Sequence, residues 1–149
     1  MKMALMQTLI TLHAETAADL MVENPVSIRE DATVHDAIRL FTKQCISAAP
    51  VVDAAGRPVG VISRSDVIVH DRVKLDWPSP EETDRTSKIA TTVRELMTPA
   101  VFSVTPSTPA GIVIEQLLAL NVHRLFVIDA AGVLVGVISA TDVLWHLHE

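Results

Sequence analysis

Two stretches hold the residues best suited to chemistry, GVISRSD at 60–66 and GVISATD at 136–142. Each sets a serine three places before an aspartate. At that spacing hydroxyl and carboxylate satisfy the N–H groups that the first turn of a helix leaves unpaired, so Ser63 with Asp66 and Ser139 with Asp142 are expected to open helices. Capping does not account for Gly60 and Gly136, because glycine inside an apolar strand weakens it and marks a bulge or a close approach to the backbone. Glycine on a strand, hydroxyls at a helix start and a carboxylate one turn in together make a receptor for a sugar and a phosphate. The helix start attracts the anion, and the carboxylate accepts hydrogen bonds from a ribose diol. Either serine as a nucleophile would need a base and an orienting third group, and the sequence supplies neither. His146 and His148 stand two apart on an expected helix, which points them away from each other. No catalytic residue and no metal ligand is expected.

The elements that position these residues come from an internal repeat. Shifting the chain by 76 places lays Asp53–Val67 on Asp129–Val143 with eleven of fifteen residues identical, and Leu20-Met21 on Leu96-Met97 without a gap. Each copy offers a short strand candidate, PVSI at 25–28 or VFSV at 101–104, and then a helix. In the first helix Thr33 is the expected cap with Asp36 three places on, and Val34, Ala37, Ile38 and Phe41 form an apolar stripe. In the second, Thr108 is the expected cap, Pro109 takes the first helical position, and Ala110, Val113, Ile114 and Leu117 repeat the stripe. Two apolar strands follow in each copy, joined by DAAG, whose Gly56 or Gly132 can take the positive φ of a tight hairpin. The helix that opens at Ser63 is expected to run to about Lys74.

Composition narrows the function. The 149 residues are 49% hydrophobic, with three Phe, two Trp and no Tyr, and the formal net charge is -6. A basic face and aromatic stacking platforms are thus both lacking, which argues against nucleic acid. No apolar run approaches the length needed to span a bilayer. The lone Cys45 cannot form an internal disulfide; a reducing cytoplasm and a role as a small core hydrophobe are expected of it. Residues 1–16 are expected to be a leader strand or helix rather than a signal peptide. Residues 72–92 are a polar linker with Pro78, Pro80 and an isolated Trp77, expected to cover apolar surface or to pack at a contact.

These features resemble a tandem pair of cystathionine-beta-synthase (CBS) domains. The likeness rests on the order of elements, on DLM at 19–21 and ELMTP at 95–99, on APVVD and RLFVID, and on the two glycine-to-aspartate signatures. It implies an α+β fold, with domains at 17–71 and 93–149, each a small three-stranded sheet packed with helices, related by a pseudo-twofold axis. It also implies a Bateman module that binds AMP, ADP, ATP or S-adenosylmethionine in the clefts between domains. Asp66 and Asp142 would hold ribose. Ser63, Arg64, Ser65, Ser139 and Thr141 would lie near phosphate, together with His123 and Arg124 before the middle strand. At the latter position the first copy has Ser47 and Ala48, so the two clefts cannot be electrically equivalent. If the basic pair serves the Asp66 cleft, that cleft is the phosphate-competent one and the Asp142 cleft is weak or empty. A homodimer and a regulated protein in trans are implied, the alternative being a ligand-free dimerisation or interaction module.

Overall fold

The computed structural model describes residues 10–75 and 91–149. Trp77 and most of the linker, with the first nine residues of the leader, lie outside them. The described residues fall into two compact units, one drawn from Met1–Pro25 and Phe102–Glu149, the other from Val26–Val101. The sequence copies and the spatial units therefore do not coincide: the opening segment of each copy packs with the body of the other.

In the first unit, β1 (Thr11–Leu12) precedes α1 (Ala17–Leu20) and β2 (Val22–Glu23). After the second unit the chain returns as β6 (Ser103–Val104), α5 (Ala110–Ala119), β7 (Arg124–Ile128), β8 (Leu134–Ser139), α6 (Ala140–Trp145) and β9 (Leu147–His148). The main sheet runs β2-β8-β7-β6, with β6 parallel to β7 and the other neighbours antiparallel. A separate ribbon pairs β1 with β9. Leu20, Leu125, Val127 and Ile138 meet Val113 and Leu117 in the core, and each such side chain stabilises the fold by about 1.5–3 kcal/mol on burial.

The second unit contains β3 (Ile28–Arg29), α2 (Val34–Gln44), β4 (Ala48–Val52), β5 (Pro58–Ser63), α3 (Arg64–Leu75) and α4 (Val93–Leu96). Its sheet is β3-β4-β5, and the place that β2 fills in the first unit is held by an isolated bridge between Val61 and Thr98. Both hairpins have the expected turn glycine, Gly56 and Gly132 each at φ 84. Asp53 Oδ1 and Asp129 Oδ1 accept from the N–H of Ala55 and Ala131, which closes the same Asx turn twice. A register shift recurs at Val51/Val52 and at Val127/Ile128.

Several local expectations are corrected. Thr33 caps α2 as predicted, accepting from Asp36 N at 3.1 Å while Asp36 Oδ2 accepts from Thr33 N. Thr108 does not cap α5: its hydroxyl accepts from Thr105 N, and Pro109 is the cap residue with no side-chain bond. The helix start is served from elsewhere, since Ala110 N donates to Glu15 O. Cys45 is exposed rather than in the core, because it ends α2 in the left-handed region at φ 54. Helix α6 stops at Trp145, so His148 lies on a strand and its ring stands 5.0 Å from that of His13. Helix α3 runs to Leu75, matching the expected end.

Candidate functional site

The two signature turns are near copies. Asp66 Oδ2 accepts from Ser63 N at 2.8 Å and from Ser63 Oγ at 3.0 Å, and Asp66 N donates to Ser63 Oγ at 3.3 Å. The corresponding distances about Asp142 and Ser139 are 2.7, 2.9 and 3.2 Å. One carboxylate oxygen thus does all the capping. Oδ1 of Asp66 and Oδ1 of Asp142 accept no hydrogen bond among the described residues, and both aspartates are half-buried. A half-used carboxylate is what a diol acceptor requires.

The remaining predicted residues fall into separate places. Ser63 and Ser139 each give their one hydroxyl proton to their own aspartate, so neither is left as a donor to a phosphate in this conformation. Ser65 and Thr141 sit at the second position of their helices, exposed. Arg64 is turned aside: its Nε donates to Ile46 O at 2.8 Å, and it lines a cavity of about 260 Å³ with Ile38, Phe41, Thr42, Val67 and Ile68. Arg124 begins β7 directly across from Ser139, and His123 O accepts from Ala140 N. Both are exposed. Within their own unit the strand register sets them next to the Ser139 turn.

The close approach expected at the glycines exists, and the chain itself makes it. A Cβ built on Gly60 would stand 2.6 Å from Thr98 O and 2.8 Å from Met97 Sδ, and one on Gly136 would stand 2.5 Å from Met21 Sδ. Gly60 and Gly136 therefore make room for the methionine of the opening segment exchanged from the other copy. The only sequence signal was that Met21 and Met97 align under the same 76-residue shift.

Sequence reasoning also missed a cavity of about 570 Å³ lined by Leu12, His13, Ala14, Glu15, Asp19 and His146. Asp19 is held below the usual carboxylate range, first by the backbone N–H of Glu15 and then by that of Thr16. Asp36 is lowered in the same way by the N–H of Thr33. Among the described residues no group of three or more His, Cys, Asp or Glu could hold a metal ion, and no helix is long and apolar enough to cross a membrane.

The CBS domain family matches residues 17–72 and 93–149. The chain is 33% identical over 140 residues to human 5'-AMP-activated protein kinase subunit gamma-3, covering 94% of this chain and 27% of that subunit. It is 29% identical over 145 residues to an uncharacterised protein of Methanocaldococcus jannaschii, covering 83% of this chain and 86% of that one. Among solved structures, CBSX2 in complex with AMP superposes with a TM-score of 0.68 at 29% identity over 89% of this chain and 95% of that chain. The cytosolic domain of the Mg2+ channel MgtE in complex with ATP gives 0.68 at 30% identity over 89% and 49%.

Proposed function

This chain belongs to the CBS-domain family, two copies in tandem, and from that premise we propose that it is a regulatory module that binds an adenosine-containing ligand and passes its occupancy to a partner protein. The carrying observation is the divided use of Asp66 and Asp142, in which Oδ2 caps a helix and Oδ1 stays open to a ribose hydroxyl. AMP and ATP complexes of similar structures support the ligand class; ADP and S-adenosylmethionine share the ribose that the carboxylate reads. The role is binding rather than catalysis. The serines that would be nucleophiles donate to carboxylates, and no imidazole bonds either serine among the described residues.

A cytoplasmic homodimer that acts on a separate chain completes the proposal. One observation favours the second reading, a ligand-free interaction module. Leu118 is 76% exposed, Trp145 73% and Leu144 65%, and apolar surface of that kind marks contacts between proteins.

A thermal-shift panel of AMP, ADP, ATP and S-adenosylmethionine separates the two. Ligand at 100 times its Kd adds about 2.7 kcal/mol, or roughly 5–10 °C for a chain of this size. A rise with any one, lost in Asp66→Asn or Asp142→Asn, supports the sensor. No rise with any of the four refutes it and leaves the interaction module.

A further inference from the structure

We infer that the groove between α2 and α3 of the second unit is a separate ligand site, and that its ligand is a small apolar carboxylate. The groove is the cavity of about 260 Å³ whose lining comes from those two helices alone: Ile38, Phe41 and Thr42 from one, Arg64, Val67 and Ile68 from the other. That volume is below the ~300–1,000 Å³ of sites for drug-sized molecules, so the occupant is short.

The lining divides into an apolar part and one cation. Phe41 and Val67 are buried, whereas Ile68 keeps 62% of its surface uncovered, apolar area that a hydrocarbon tail would take out of water. Arg64 is the one charged side chain of the lining, and no carboxylate stands there to repel an anion. Its backbone N–H donates to Ser47 O at 2.9 Å and its Nε to Ile46 O at 2.8 Å, which fixes the guanidinium beside the end of α2. The two terminal amines make no hydrogen bond or ion pair among the described residues. Side by side, they are the donors that a carboxylate accepts from in a paired contact. Thr42 offers no second donor, because its hydroxyl proton goes to Ile38 O at 2.8 Å.

The other copy shows that the fold does not require this arginine. The 76-residue shift lays Arg64 on Ala140 and Thr42 on Leu118. Helix α6 opens on Ala140 with the same Ser-to-Asp bonds, so capping proceeds without a guanidinium. The cation over an apolar groove is therefore particular to the second unit, and a head of negative charge on a short tail is the chemistry it matches.

The test is titration of the full chain with octanoate, octanol and acetate, followed through the methyl signals of Ile38 and Ile68 by NMR. Octanoate should shift both signals, and acetate, which has no tail, should shift neither. Arg64→Ala installs the residue of the other copy; it should weaken octanoate roughly 10- to 100-fold, the scale of one charge-assisted partner, while octanol changes little. Ile68→Asp, at an exposed position that folding tolerates, should abolish octanoate binding. Saturating AMP should leave the octanoate titration unchanged whether or not AMP itself binds, so this site and the adenosine sensor stand or fall separately. Octanoate held as tightly by Arg64→Ala as by wild type, methyl signals that octanoate does not move, or displacement of octanoate by AMP would each overturn the assignment.

Discussion

Replacing Gly136 with alanine should destabilise the first unit, and the structure says by how much and why. The new methyl would lie 2.5 Å from Met21 Sδ and 3.0 Å from Met21 Cβ and Cγ, well inside van der Waals contact. Alanine in place of a strand glycine would otherwise gain about 0.5–1 kcal/mol through the unfolded chain. Overpacking of a filled site costs about 1–3 kcal/mol, so the net should be a loss of roughly 0.5–2 kcal/mol. At about 2–4 °C per kcal/mol, the melting point should fall by a few degrees. Gly60→Ala should cost more. There the nearest atom is Thr98 O at 2.6 Å, and that carbonyl accepts from Val61 N while Thr98 N donates to Val61 O. A methionine tip can swing away, whereas moving this carbonyl breaks a bridge of two hydrogen bonds, each contributing about 0.5–1.5 kcal/mol. Urea denaturation of both variants and of the pair Gly136→Ala with Met21→Ala measures this directly. The double variant should lose less than the sum of the singles. If Gly136→Ala melts at or above wild type, or if the pair is additive, the glycines do not exist to admit the methionines.

Asp142→Ala should lose about 1 kcal/mol of capping in addition to any ligand response, whereas Asp142→Asn retains a capping oxygen and should fold with a nearly unchanged melting point in a thermal scan. Asp36 has a folded pKa below its ordinary value of 3.8, so its contribution is present above that pH and is lost as pH falls through the lower folded value. Asp36→Asn should therefore flatten the acid limb of a plot of urea midpoint against pH below about 4. Leu125→Ala, at a fully buried position, should cost about 2–5 kcal/mol, read from the same midpoints.

Much of the fold is visible in the residues themselves because it is local. The stripe of Val34, Ala37 and Phe41 is buried as its helical spacing requires, and the turn glycines at 56 and 132 take the positive φ expected of them. The Ser-to-Asp spacing specifies the geometry around Asp66 and Asp142 almost atom for atom. What stays hidden is long-range. Nothing near Thr108 announces that Glu15 O will serve the start of α5, and Val22–Glu23 becomes a strand only because β8 offers its edge. The apolar outer face of α5 is equally opaque: Ile112 and Leu118 are exposed where the repeat gives α2 Asp36 and Thr42, so the copies share a core stripe and not a surface. The orientation of Arg64 depends on a carbonyl eighteen residues away, beyond any motif.

Because Ala17 and Leu20 lie in the core formed by residues after 102, while Val93 lies in the core of the other unit, a polypeptide cut to either copy alone would carry a header made for a different body. Such a half could complete itself only by borrowing from a twin. An isolated copy should thus appear as reciprocally exchanged pairs, its association and its folding being one event.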